Sequence, residues 1–199
     1  MLTILMTGGT GMVGRALTRL LVEKGYKVII LTRRLPGGVA PDNISYALWD
    51  INKQQIDVQA VQRADYIVHL AGAGVVAKKW TVAYKKEIVE SRTNSSGLII
   101  DTLKAHSNSV KAVISASAIG WYGADAGTKW FTENDPAEKD FLGETCRLWE
   151  ESIEPVTALG IRLVKLRTGI VLSNDGGALV EFKKPLRFGI AAVLGTGKQ

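Results

Sequence analysis

The 199-residue sequence has little of the chemistry that marks secreted, membrane or metal-binding proteins. Its one cysteine, Cys146, excludes an intramolecular disulfide and favours a reducing compartment. No apolar run reaches the length of a transmembrane helix, and the apolar residues 1–6 lack the basic leader of a signal peptide. Two histidines and one cysteine, far apart in sequence, match no metal-site spacing. We therefore expect a soluble, cytoplasmic protein with no metal and no membrane partner.

The sequence also lacks any run of five or more basic residues, although its formal net charge is +6. The basic pairs are scattered along the chain at Arg33-Arg34, Lys78-Lys79, Lys85-Lys86 and Lys183-Lys184. This scatter disfavours a nucleic-acid partner, which would need a basic stripe. Small phosphorylated ligands are the expected partners, and the sequence leaves the oligomeric state open.

Short apolar runs rich in branched residues alternate with helical patterns. The predicted strands are residues 2–6, 27–31, 45–49, 66–70, 110–115 and 162–166, and the predicted helices are residues 12–24, 80–105, 138–159 and 177–186. Because right-handed crossovers place helices on both faces of a parallel sheet, this alternation predicts an α/β fold with a Rossmann-like doubly wound sheet. We expect one domain over residues 1–199.

The last residues of the sequence, 189–199, have the polar character of a loop. Gly195 and Gly197 lie in this segment, and no further strand or helix is predicted after it. The sequence therefore predicts a fragment of a longer chain, truncated before a substrate-side segment.

A glycine-rich loop follows the first predicted strand and opens the first predicted helix. Gly8 allows a tight turn, Gly11 a close approach of the backbone to a diphosphate, and Gly14 close packing of helix on strand. Free amides at the start of the helix would then face the phosphates. The predicted contacts of this loop are Gly8, Thr10, Gly11, Met12, Val13 and Gly14.

The spacing of these glycines resembles that of the extended short-chain dehydrogenase/reductase family. In dinucleotide-binding folds, a carboxylate about 20 residues after the glycines selects NAD by binding the ribose 2′-hydroxyl. This sequence has Thr32, Arg33 and Arg34 there instead. Guanidinium groups favour the 2′-phosphate of NADP, with Arg33 as the first candidate, although a solvated basic pair is the alternative.

The resemblance implies further cofactor contacts at the ends of the next two strands. Asp50 stands where the family has an acid near the adenine amino group, or it caps a turn. Leu70, Ala71 and Gly72 resemble the small residues that the family places near the nicotinamide ribose, where they permit close approach. His69, just before them, is expected to be a packed strand residue.

Arg92 falls on the apolar face of the predicted helix over residues 80–105. A half-buried guanidinium needs an anionic partner. The sequence leaves two possibilities, a cofactor phosphate or a protein carboxylate such as Glu87 or Glu90.

The resemblance also places chemistry after the strand over residues 110–115. Ser117 matches the family's catalytic serine, with Ser115 as the fallback, and Tyr122 belongs to a Trp-Tyr-Gly segment that also resembles the family. Arg167, in Arg-Thr-Gly, resembles the loop that lines the nicotinamide side. Asp125 is expected to be a solvated loop residue.

The sequence has no tyrosine followed four residues later by a lysine, which is the family's proton-transfer pair. Phe141 or Leu142 stands in place of the tyrosine, and Thr145 or Cys146 in place of the lysine. This departure resembles the atypical epimerase branch, also described as the NAD-dependent epimerase/dehydratase family. Tyr122 then becomes the substitute acid, or a packing residue.

Two functions remain open from the sequence. The first is an NADP-dependent oxidoreductase or epimerase-like enzyme with a small or nucleotide-linked substrate. The second is a non-catalytic NADP-binding sensor, which the missing tyrosine–lysine pair favours.

Overall fold

The computed structural model describes residues 1–124, 128–186 and 188–190. The described residues form nine strands, and all six predicted strands are among them. They are β1 (Thr3–Thr7), β2 (Lys27–Thr32), β3 (Ile44–Asp50), β4 (Gln55–Ile56), β5 (Tyr66–His69), β6 (Ala112–Ala118), β7 (Arg162–Thr168), β8 (Leu172–Ser173) and β9 (Gly176–Gly177). Asp125 and the glycines at 195 and 197 lie outside the described residues.

Seven of these strands form one sheet in the order β4-β3-β2-β1-β5-β6-β7. Every pairing in it is parallel except that of the short β4, which runs antiparallel to β3. The strand order reverses between β1 and β5, so the carboxyl ends of these two strands border the crevice in which doubly wound folds bind ligands. The predicted Rossmann-like parallel sheet is confirmed.

The described residues form five α-helices: α1 (Met12–Glu23), α2 (Val58–Gln62), α3 (Val82–Ala105), α4 (Phe141–Ile153) and α5 (Ala178–Leu186). Helices α1 to α4 flank the seven-stranded sheet, and α5 packs on β8 and β9. Leu17, Leu21 and Val22 of α1 pack on one face of the sheet, against Ile4 and Met6 of β1 and their neighbours. Helices α2, α3 and α4 cover the opposite face, where Leu5, Ile67 and Val113 form the larger core. The ends of the strands therefore lie between two helical layers.

The sequence predicts one helix over residues 138–159, and this is wrong at both ends. Helix α4 begins only after Asp140, whose carboxylate caps it by accepting a hydrogen bond from the Gly143 amide at 2.7 Å. It ends at Ile153, and residues Glu154–Leu159 form a 3-10 helix with Pro155 in its first turn. Proline has no amide hydrogen to continue the α-helical ladder, which explains the change.

The short elements β4, α2, β8 and β9 were not predicted. Each has five residues or fewer, so none has room for a periodic apolar pattern. Among the described residues, no helix is both long enough and apolar enough to cross a membrane.

Candidate functional site

The glycine loop lies against the end of β5, across the crevice. Gly8 has a positive φ of 69°, and a Cβ there would lie 2.9 Å from the carbonyl carbon of Leu70. The amide of Gly11 donates a hydrogen bond to the Gly8 carbonyl at 3.0 Å, which closes the turn. Only glycine fits at position 8, because a side chain would be strained and would collide with backbone.

Helix α1 starts inside this loop with its amides free of side-chain acceptors. Gly11 is the N-cap and offers no side chain, and no acidic residue lies in the first turn. A Cβ on Gly14 would lie 2.3 Å from the Gly8 oxygen, so the helix packs directly on the loop. Thr10 is exposed and Met12 and Val13 begin the helix. Such a helix start attracts anions.

The basic pair after β2 is exposed at the same edge of the sheet. The hydroxyl of Thr32 donates to the carbonyl oxygen of Arg34 at 2.9 Å, which bends the chain just after the strand. Both Arg33 and Arg34 are exposed, and neither makes an ion pair with any residue that the structure describes. Two guanidinium groups are thus available to a ligand phosphate.

Asp50, the last residue of β3, is used as a turn cap. Its Oδ1 accepts hydrogen bonds from the amides of Asn52 (3.0 Å) and Lys53 (3.2 Å). Its Oδ2 lies 3.9 Å from the Lys53 ammonium. The turn-capping alternative is therefore present in the structure, and the adenine contact stays a prediction.

A buried polar network holds the segment after β5 in place. The Thr7 hydroxyl oxygen accepts the amides of Leu70 (3.0 Å) and Ala71 (3.1 Å) and lies 2.7 Å from His69 Nδ1. Since that oxygen already accepts two hydrogen bonds, its own proton goes to Nδ1. The imidazole then carries its proton on Nε2, which points at the Ser95 hydroxyl 3.2 Å away.

His69 is fully buried, as expected for a packed strand residue. Burial, and to a smaller extent the positive charge of Arg92, lowers the pKa of His69 from 6.5 to about 4. The imidazole is therefore neutral at physiological pH and acts as a structural link between β1, β5 and α3.

Arg92 of α3 is 8% exposed and has no carboxylate partner among the described residues. Glu87 pairs with Lys78 at 3.2 Å, and Glu90 pairs with Lys86 at 3.6 Å. The protein-carboxylate alternative for Arg92 is thus wrong for both of the residues considered. Its guanidinium donates one hydrogen bond, from Nη1 to the Ile88 carbonyl at 2.8 Å.

The guanidinium of Arg92 lies between Gly72 and the ring of Trp149. Its Cζ is 4.8 Å from the Trp149 ring centroid, and a Cβ on Gly72 would lie 3.0 Å from Cζ. Burial lowers the pKa of Arg92 from its ordinary value. The cation therefore sits directly behind the segment that the resemblance places near the nicotinamide.

Ser117, at the end of β6, is 1% exposed and directs its hydroxyl into the protein. It donates a hydrogen bond to Glu150 Oε1 of α4 at 2.7 Å. Burial alone would raise the pKa of Glu150, but hydrogen bonds from Arg167 and Ser117, with the nearby positive charges, hold it below its ordinary value. Glu150 is therefore a buried anion.

Arg167 of β7 neutralises this anion. Its Nε and Nη2 donate to the two oxygens of Glu150 at 2.8 and 3.0 Å, and its Cζ lies 3.7 Å from the Trp121 ring centroid. Its Nη1 donates to the Tyr122 hydroxyl at 3.0 Å. The predicted cofactor contact of Arg167 stays a prediction, while its observed partners are Glu150 and the two aromatic residues.

Sequence reasoning missed Glu150. Its signal was present, because Glu150 lies on the apolar face of α4, four residues after Cys146 and three before Ile153, both of which are buried. An acid on such a face needs a cationic partner, and the partly buried Arg167 was available.

The residues that stand in place of the family's tyrosine and lysine are Phe141 or Leu142 and Thr145 or Cys146, and one of each lies at the end of β6. Leu142 and Cys146 lie against Gly120, just beyond β6, since a Cβ on that glycine would be 3.2 Å from Leu142 Cβ and 3.6 Å from Cys146 Sγ. Burial raises the pKa of the Cys146 thiol, so it stays protonated. Neither side chain supplies a proton-transfer group like a phenol or an ammonium.

Comparison with curated proteins finds relatives that match nearly the whole chain. An epimerase family protein of Staphylococcus saprophyticus is 33% identical over 195 residues, which is 98% of this chain and 64% of that relative. The epimerase family protein YfhF of Bacillus subtilis is 34% identical over 199 residues, again 64% of the relative. The chain thus spans less than two thirds of the length of the curated relatives it matches.

Two solved structures share the fold over nearly the whole chain. The crystal structure of human epimerase family protein SDR39U1 (isoform 2) with NADPH matches with a TM-score of 0.80 and 25% identity, covering all of this chain and 64% of that one. The nucleoside-diphosphate sugar epimerase from Corynebacterium glutamicum matches with a TM-score of 0.79 and 35% identity, covering 98% and 39%. The profile of the NAD dependent epimerase/dehydratase family matches residues 4–143, and the chain belongs to that family.

Proposed function

We propose that this chain forms the NADP(H)-binding domain of an oxidoreductase or epimerase-like enzyme. The observation that carries the proposal is the glycine loop, which opens α1 without a side-chain cap and without an acid in its first turn. Position 8 fits only glycine, and the helix start fits a diphosphate. The human relative of known structure was crystallised with NADPH, which supports the same ligand here.

The adenosine half of the cofactor would lie over the ends of β2 and β3. Arg33, with Arg34 beside it, would bind the 2′-phosphate, because both guanidinium groups are exposed and neither has a carboxylate partner among the described residues. A carboxylate in this place would repel the 2′-phosphate, and the exposed residues directly after β2 include none. NADP is therefore proposed over NAD.

The nicotinamide half would lie toward β5 and β6, beside Leu70, Ala71 and Gly72. The nicotinamide ring supplies or accepts the hydride when it is bound. Of the two predicted catalytic hydroxyls, that of Ser117 already donates its hydrogen bond to Glu150. The Tyr122 oxygen accepts a hydrogen bond from Arg167, so its own hydrogen stays available for a substrate oxygen. We therefore propose that Tyr122 is the acid that donates a proton to the substrate. Ser117 would have to break its hydrogen bond to Glu150 before it could donate one to a substrate.

Titration calorimetry with NADPH and NADH tests the cofactor assignment. The full chain is expected to bind NADPH more tightly, and Arg33→Ala should weaken NADPH by about tenfold to a hundredfold, since it removes a charge-assisted hydrogen bond to phosphate. NADH affinity should stay unchanged. Arg162→Ala is the matched control, because Arg162 is exposed at the start of β7, on the opposite edge of the sheet. Equal affinities for the two cofactors in the unaltered chain would refute the assignment.

A second function, a non-catalytic NADP-binding sensor, is favoured by Leu142 and Cys146 in place of a phenol and an ammonium. Oxidation of bound NADPH by a panel of carbonyl compounds, nucleotide-linked sugars included, separates the two functions. Hydride transfer that Tyr122→Phe abolishes while NADPH binding persists would establish the enzyme. Binding without any transfer across the panel would leave the sensor.

A further inference from the structure

Arg92 is a buried cation that the protein itself does not neutralise. It is 8% exposed, its one hydrogen bond goes to the Ile88 carbonyl within its own helix, and no described carboxylate lies within ion-pair distance. Keeping an uncompensated charge out of water costs several kcal/mol by general estimates, about as much as a small domain can spare. Such a cost indicates a partner that arrives with a ligand.

A buried donor without a hydrogen-bond partner lies beside the Arg92 guanidinium. Trp149 of α4 is 5% exposed, and its Nε1 is the one buried side-chain nitrogen or oxygen without a hydrogen-bond acceptor in the part of the chain that the structure describes. The Arg92 Cζ is 4.8 Å from the Trp149 ring centroid. Two unsatisfied donors from two different helices are therefore close together.

The thiol of Cys146, one turn before Trp149, does not act as the missing anion. Burial raises the pKa of this thiol, so it is neutral, and its Sγ donates to the Ala118 carbonyl at 3.6 Å. The carboxylate of Glu150, next to Trp149 in sequence, is held by Arg167 and Ser117. The acceptor for Arg92 must come from outside these groups.

Gly72 packs directly against the guanidinium of Arg92. A Cβ at this position would lie 3.0 Å from Arg92 Cζ and 3.2 Å from both Nη1 and Nη2, closer than an ordinary contact. Gly72 follows Leu70 and Ala71, which lie against Gly8 of the glycine loop. The guanidinium therefore lies beside the segment between β5 and α3, at the same crevice as the loop.

We propose that Arg92 and Trp149 Nε1 form an anion subsite of this crevice, which binds the oxygens of a phosphate or carboxylate group other than the phosphate held by the glycine loop. The subsite rests on the proposed function, because it lies along the nicotinamide half of the same cofactor path. The anion comes from one of two sources, the nicotinamide-side phosphate of the dinucleotide or an acidic group on the substrate.

Calorimetry on the full chain with two nucleotides separates these sources. Adenosine 2′,5′-bisphosphate carries only the adenosine half of NADPH. If the dinucleotide is the source, Arg92→Met should weaken NADPH by about tenfold or more, the value of a charged hydrogen bond to phosphate. The same variant should change the affinity for the bisphosphate by no more than about twofold, because that ligand does not reach the subsite. Trp149→Phe, which removes only the donor, should weaken NADPH by a smaller factor.

If the substrate is the source, Arg92→Met leaves NADPH affinity unchanged, and inorganic phosphate is then the probe. Phosphate should bind to the NADPH-saturated unaltered chain and should not bind to NADPH-saturated Arg92→Met. Gly72→Ala is expected to weaken phosphate binding as well, because its methyl group would collide with the guanidinium and displace it while the charge remains. Arg147→Met, which removes a solvent-accessible arginine of α4, is the control and should change the affinity for neither NADPH nor phosphate.

Two results would overturn the subsite. In the first, Arg92→Met leaves NADPH affinity unchanged, and phosphate either binds equally with and without Arg92 or does not bind at all. The other is an equal loss of NADPH and of the bisphosphate, which would show a general structural role. Failure of the unaltered chain to bind NADPH at all would instead end the proposed function, and this inference with it.

Discussion

Arg92, which is buried, and Arg167, which is partly buried, both lie against aromatic rings near the carboxyl edge of the sheet, yet their surroundings differ. Arg167 has two hydrogen bonds to Glu150 and one to Tyr122, and it stacks on Trp121. Arg92 stacks on Trp149 and has no carboxylate among the described residues. The first cation is satisfied by the chain and ties β7 to α4. The second has no such partner among the described residues, so the partners of the two arginines, rather than their burial, distinguish them.

The largest expected effect is the loss of the paired cation. Arg167→Met leaves Glu150, which is 4% exposed, without its main counter-ion, and breaking one side of a buried pair costs about 3–5 kcal/mol. The free energy of unfolding in urea measures this loss. Arg147→Met is the matched control, since Arg147 makes exposed ion pairs with Glu144 and Glu151 that are worth less than about 1 kcal/mol. Equal costs for the two variants would contradict the distinction between them.

A smaller effect should come from His69, which lies beside the unpaired cation. Its pKa is about 4 in the folded chain and 6.5 in the unfolded chain, so the unfolded state takes up a proton first as the pH falls. The stability that depends on neutral His69 is complete above pH 6.5 and is lost as the pH falls toward 4. Between pH 7 and pH 5 this loss amounts to about 2 kcal/mol.

Urea unfolding at pH 7, 6 and 5 measures that slope. His69→Gln should flatten it, because glutamine does not titrate, and His106→Gln, at an exposed position, should leave it as it is. An unchanged slope in His69→Gln would show that the buried imidazole is not the group that titrates.

The sequence predicted the glycine loop well because its determinants are local. Gly8, Gly11 and Gly14 lie within one turn and one helix start, and their roles follow from their spacing after a strand. The longer strands were equally predictable, since each of them has its own apolar run in the sequence. β6 extends to Ala118 rather than residue 115 because small residues continue the pairing with β7 beyond the apolar stretch.

The partners of the buried charges could not be predicted in the same way. Ser117, Glu150 and Arg167 come from three elements, and only the fold brings them together. For Arg92, sequence reasoning required an anionic partner and offered Glu87 and Glu90, which lie on the same helix and pair with lysines instead. A sequence shows that a charge lies on an apolar face, while its partner depends on tertiary packing.

The smallest expected effect on stability, and the sharpest contrast, belongs to Arg92→Met. Methionine fills a similar volume against the Trp149 ring and carries no charge that needs compensation, so the free energy of unfolding should stay within about 1 kcal/mol of the unaltered chain or rise. Arg167→Met should lower it by several times that amount. Urea unfolding in the absence of ligand measures both. A cost for Arg92→Met as large as that for Arg167→Met would mean that the chain itself satisfies Arg92. Unchanged stability combined with weaker ligand binding is a result that a purely structural arginine cannot give, because such a residue loses binding only by losing the fold.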